Sequence, residues 1–119
     1  MNIYIASKDK WLGVVVTNDN NHIFYQRAIL SPDQSKGLAV QQGILFMRGN
    51  NIPHIKTVNV YSNETIEINP EFYKRYGYSV VNKKPETEIE HQRMLAAETE
   101  IEMQTRRNIL RCVNDKQRC

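Results

Sequence analysis

Cysteine, glycine and proline are scarce in this sequence of 119 residues, which has two, five and four of them. Both cysteines, Cys112 and Cys119, fall at the C-terminal end with no other cysteine or histidine beside them. That arrangement is poor for zinc and gives no disulfide framework, so two unpaired thiols are expected. No Gly/Ser-rich or Pro-rich linker interrupts the chain, and no internal repeat of about 20 to 50 residues is visible. No apolar run approaches the roughly 20 residues that span a bilayer. Met1-Asn2-Ile3-Tyr4-Ile5 has neither a basic segment nor a small-residue cleavage site, so a cytoplasmic protein without membrane partners is expected. Glycine-rich nucleotide loops, GxSxG and HExxH are missing, which argues against dinucleotide enzymes, P-loop NTPases, serine hydrolases and zinc proteases. His22, His54 and His91 stand alone, without metal-ligand spacing.

Strong net charge is also lacking: 16 basic and 13 acidic side chains leave +3. The charges are nevertheless segregated. Residues 1–84 carry ten basic and six acidic groups, 85–102 one and six, and 103–119 five and one. With 40% hydrophobic and 24% charged residues, the composition is that of a folded domain.

The sequence pattern predicts an α+β fold: a mixed sheet of three antiparallel strands, a fourth strand after a buried helix, and a long C-terminal helix. Ile3 and Ile5 mark a first strand. Leu12 to Thr17 and His22 to Leu30 read as a hairpin around Asn18-Asp19-Asn20-Asn21, residues that favour turns. Ser31-Pro32-Asp33-Gln34 is a capping-box arrangement. The helix behind it carries Leu38, Ala39, Val40, Ile44, Leu45, Phe46 and Met47, apolar over most of its surface, and Gly49-Asn50-Asn51 stops it. Thr57 to Tyr61 alternates as a strand, and residues 65–84 suggest a short helix and a further strand. A core of residues 1–84 is followed by a helix over 86–112 and a basic tail, in the same domain or at an oligomer interface. Ile89, Ala96, Met103 and Leu110 fall on one stripe of that helix; Met94, Ile101 and Cys112 fall near the opposite side. Two stripes imply two covered sides, so a homo-oligomer using Met94, Ile101, Met103 and Leu110 is expected.

Over residues 2–64 this order resembles the ribonuclease H-like fold, in which a helix returns the chain to a fourth strand parallel to the first. The resemblance implies carboxylates on the first strand, in the first helix and at the end of the fourth strand, holding two divalent metals that activate water against a phosphodiester. In Asn2-Ile3-Tyr4-Ile5-Ala6-Ser7 the acid's place is taken by Ala6. In Leu38-Ala39-Val40-Gln41 it is taken by Gln41 or Val40, and in Val60-Tyr61-Ser62-Asn63-Glu64 by Asn63. Neutral groups do not neutralise two divalent cations, so no catalytic residue, metal or cofactor is expected. Asp9, Glu64 and Glu67 are the nearest substitutes, and a divergent nuclease would use them.

Basic and aromatic residues suggest binding instead. Lys8, Lys10 and Trp11 cluster at the first turn, and Arg27 lies on an early strand. Phe72-Tyr73-Lys74-Arg75-Tyr76 interleaves rings with cations, as phosphate contact and base stacking require. Arg106, Arg107 and Arg111 form the densest basic group, suited to phosphates or to a helix C-terminus. The expected function is non-catalytic binding of a nucleic acid or a small nucleotide, as in a phage or mobile-element accessory protein that sequesters a nucleotide or blocks a host nucleic-acid machine. A structural adaptor acting through the last helix is the other class.

Overall fold

Every residue from Leu12 to Thr17 is buried, which a strand achieves only when both its faces are covered. In the computed structural model that strand lies inside a five-stranded mixed sheet with helices on either side. The structure describes residues 1–31, 36–49, 57–64 and 69–114, with side chains as far as Arg106 except that of Pro70. The elements are β1 (Asn2–Lys8), β2 (Trp11–Thr17), β3 (Ile23–Leu30), α1 (Lys36–Gly49), β4 (Thr57–Tyr61), α2 (Pro70–Lys74), β5 (Ser79–Lys83) and α3 (Glu88–Asn114). The fold is α+β, with the strands in the order β3-β2-β1-β4-β5. β1 pairs antiparallel with β2, and β2 with β3; β4 runs parallel to both β1 and β5.

Alternation divides the sheet residues between two cores. Ile3, Ile5, Leu12, Val14 and Val16 meet Ala39, Val40, Ile44 and Met47 of α1. Tyr4, Ala6, Val15 and Tyr61 meet Met94, Ala97 and Ile101 of α3. Tyr4 and Tyr61 stack with ring centroids 4.8 Å apart and planes 11° from parallel. Burial, then the neighbouring Tyr61, pushes the Tyr4 hydroxyl up to about 12.

Two details differ from the sequence pattern. α1 buries only one face, so Leu45 stays 56% exposed although the helix is apolar nearly all round. In α3, Met94 and Ile101 are core residues of this chain, not a free surface for a second subunit. Gly13 explains that choice of face: a Cβ there would sit 1.8 Å from the Ala97 carbonyl oxygen, so α3 makes its close approach to β2 where the strand has no side chain. Ile89 and Met103 remain exposed along the flank of the helix. The side chain of Leu110 lies outside the described residues, as do residues 32–35, 50 and 51 of the expected helix start and stop and the thiols of Cys112 and Cys119.

α3 begins at a capping box not read from the sequence. Thr87 Oγ1 accepts from the Glu90 backbone N–H at 3.2 Å, and Glu90 Oε1 accepts from the N–H groups of Glu86 and Thr87 at 3.0 and 3.2 Å. Among the described residues, no helix is long and apolar enough to cross a membrane.

Candidate functional site

In sheets with parallel strands, ligands favour the crevice outside the strands' C-terminal ends. Here the ends of β1 and β4 lie side by side, and Ala6, Ser7, Ser62 and Asn63 border a cavity of about 120 Å³ between them. Lys36, at the start of α1, and Glu98, on α3, complete its wall. The Lys36 ammonium pairs with the Glu64 carboxylate at the mouth. That hydrogen bond and charge hold the Glu64 carboxyl below the usual carboxylate range. Of the three positions that the resemblance assigns to acids, the fold brings Ala6 and Asn63 together. The third does not join them: Val40 is fully buried, and Gln41 faces a different cleft, towards α2. Among the described residues, no group of three or more His, Cys, Asp or Glu could hold a metal. Glu67 lies outside the described residues.

A wider groove of about 440 Å³ opens next to this cavity, between the β1–β2 turn and α3. Lys8 pairs with Trp11 across a two-residue turn, which places both on the α3 face of the sheet. Asp9 fills the first turn position at φ 55°, in the left-handed region where aspartate is tolerated. From α3, Ile101 floors the groove while Glu102 and Arg106 stand at its rim. The half-buried Trp11 therefore lines the same groove as Lys8 and Arg106, residues from opposite ends of the sequence. Asp9 and Glu102 balance the two cations. The lining can thus donate to phosphate oxygens, accept from hydroxyl or amino groups, and stack a ring.

The remaining expected residues are dispersed. Lys10 is exposed on the turn itself. Arg27 sits opposite Val14, on the α1 face, with the sheet between it and the groove. Lys74 and Arg75 are exposed at the end of α2, away from the groove lining. Arg107 and Arg111 belong to α3, but their side chains lie outside the described residues. Sequence reasoning missed Lys36, Glu98 and Glu102. Lys36 follows residues expected only to cap a helix, and Glu98 and Glu102 are ordinary members of an acidic segment until α3 is oriented on the sheet. No protein family, curated protein or solved structure matches the chain.

Proposed function

We propose that this chain is a non-catalytic binding protein for a phosphate-bearing ligand, either a single-stranded or hybrid nucleic acid or a small nucleotide, on a ribonuclease H-like scaffold. The observation that carries this reading is the meeting of Lys8, Trp11 and Arg106 in one groove. Two cations and an indole lining one groove supply charge for phosphate and a face for a base, and the adjoining carboxylates select against a bare anion. The strand order β3-β2-β1-β4-β5, with β4 parallel to β1, supports the scaffold. Holding without cutting is supported by Ala6 and Asn63 at the strand ends and by the ammonium of Lys36 on Glu64, a built-in cation in the crevice. The reading includes self-association along the exposed flank of α3 at Ile89 and Met103.

Trp11 is the one tryptophan of the chain, so its emission reports on the groove. Titration with a short single strand, an RNA·DNA hybrid and a nucleoside triphosphate should change that emission for at least one of them, with affinity falling as salt rises. Lys8→Glu combined with Arg106→Glu should weaken binding by about 1.5–3 kcal/mol for each charged hydrogen bond lost. An emission unmoved by all three ligands would remove the reading. So would hybrid cleavage in Mg²⁺ or Mn²⁺ that Glu64→Gln abolishes.

A further inference from the structure

On the other side of the sheet, α1 and α2 enclose a second, more apolar cleft. α2 is a five-residue turn of helix, capped by Asn69 Oδ1 accepting from the Glu71 N–H at 3.2 Å. The chain leaves it through Gly77, at φ 85°. Within so short an element Tyr73 turns inward to the core, while Phe72 and Tyr76, four residues apart, point out together with ring centroids 5.4 Å apart. They stay 39% and 56% exposed, and Leu45 faces them from α1 at 56%. Leaving three large apolar side chains around one opening gains nothing for the fold.

The charge at this opening points to an anionic ligand. Arg48, in the last turn of α1, sets its guanidinium carbon 5.9 Å from the Tyr76 ring centroid. The ion pairs among the described residues join Met1 to Asp19 and Lys36 to Glu64, so no described carboxylate engages Arg48. The cleft has about 180 Å³. A closed cavity of about 150 Å³ holds a benzene ring, whereas sites for larger organic ligands start near about 300 Å³. One ring fits inside, and the rest of the ligand must lie outside, beside Arg48.

We propose that the cleft between α1 and α2 is a second binding site, taking one six-membered aromatic ring with an anionic group next to it, the chemistry of a pyrimidine nucleotide. The ring lies against Phe72 and Tyr76 with Leu45 and Ile44 opposite, and Arg48 takes the phosphate. This site is independent of the groove at Trp11, because the sheet separates them.

The test titrates the full chain with uridine monophosphate, uridine and inorganic phosphate, followed by calorimetry and by the tyrosine ring resonances. Uridine monophosphate should bind and shift the Tyr76 resonances, uridine should bind about tenfold or more weakly, and phosphate alone should not compete at the same concentration. Arg48→Gln, at an exposed position, should reduce the nucleotide affinity read at Tyr76 to that of uridine. Tyr76→Ala should weaken both by about tenfold. Lys8→Glu with Arg106→Glu should leave this binding intact. Equal nucleotide affinity in Arg48→Gln and the unaltered chain, read at the Tyr76 resonances, overturns the proposal. Tighter binding of an aspartyl-phenylalanine peptide than of the nucleotide also overturns it, since the cleft would then be a peptide site. Binding lost in the Lys8 and Arg106 variant but kept in Arg48→Gln would assign the nucleotide to the groove and sink the second site alone.

Discussion

A missing side chain does more for the shape of this protein than most of those present. Gly13 lets α3 lie so close to β2 that its absent Cβ would fall 1.8 Å from the Ala97 carbonyl oxygen. Backbone cannot yield as a flexible side chain can, so Gly13→Ala must lift the helix or distort the strand. The expected loss is about 3 kcal/mol, at the upper end of overpacking costs, measured as a lower urea midpoint. At the strand ends a single residue sets the local charge. Lys36→Met should let the Glu64 carboxyl return upward to the ordinary range, because the lysine hydrogen bond is the main cause of its depression. Carbon-detected titration of that carboxyl would show the shift. Stability should barely change, since Glu64 is exposed. The sequence made the Gly13 constraint visible only as a glycine inside a strand; what approached it could not be read from one element alone.

At the scale of elements, periodicity and β-branched runs carried the reading, whether one face or both are buried. Leu12 to Thr17, Thr57 to Tyr61 and the long C-terminal helix lie where their patterns place them. α3 shows what periodicity leaves open. Ile89, Ala96 and Met103 form as regular a line as Met94 and Ile101, and hydrophobicity does not rank the two. The close approach of Gly13 and Ala97 chooses the second line, a steric decision that needs both elements in place. The start of the same helix is a local device and was available from Thr87-Glu88-Ile89-Glu90. Thr87→Ala should cost about 1 kcal/mol by leaving the Glu90 N–H without its cap. The pH dependence has a definite sign. Glu90 is held below the ordinary carboxylate range, chiefly by the Glu86 N–H, so its contribution is complete above the unfolded pKa and fades as pH falls through the lower folded value. Urea unfolding at neutral and acid pH should show that fading in the unaltered chain and a smaller loss on acidification in Glu90→Gln.

The whole molecule is a sheet covered by α1 on one side and α3 on the other, and this layering separates the expected binding residues. Trp11 and Arg106 meet because both lie on the α3 side, whereas Arg27 does not join them. Distance in sequence hid the groove: its cations and Asp9 were legible one by one, but not Glu102 or the place where they meet. The layering also limits how copies could associate. α3 is 27 residues, about 40 Å of helix, and the molecule's longest dimension is 49 Å. Among the described side chains its sheet-facing core residues run as far as Ile101, and the helix continues to Asn114. Met94 is buried, so the proposed self-association runs along the exposed flank at Ile89 and Met103. Ile89→Asp with Met103→Asp should lower the mass seen by native mass spectrometry and leave the urea midpoint nearly unchanged. Met94→Asp should instead bury a charge and unfold the chain at much lower urea, by about 3 kcal/mol or more. An unaltered chain that already runs as a monomer at high concentration would reject the flank as an interface between copies of this chain.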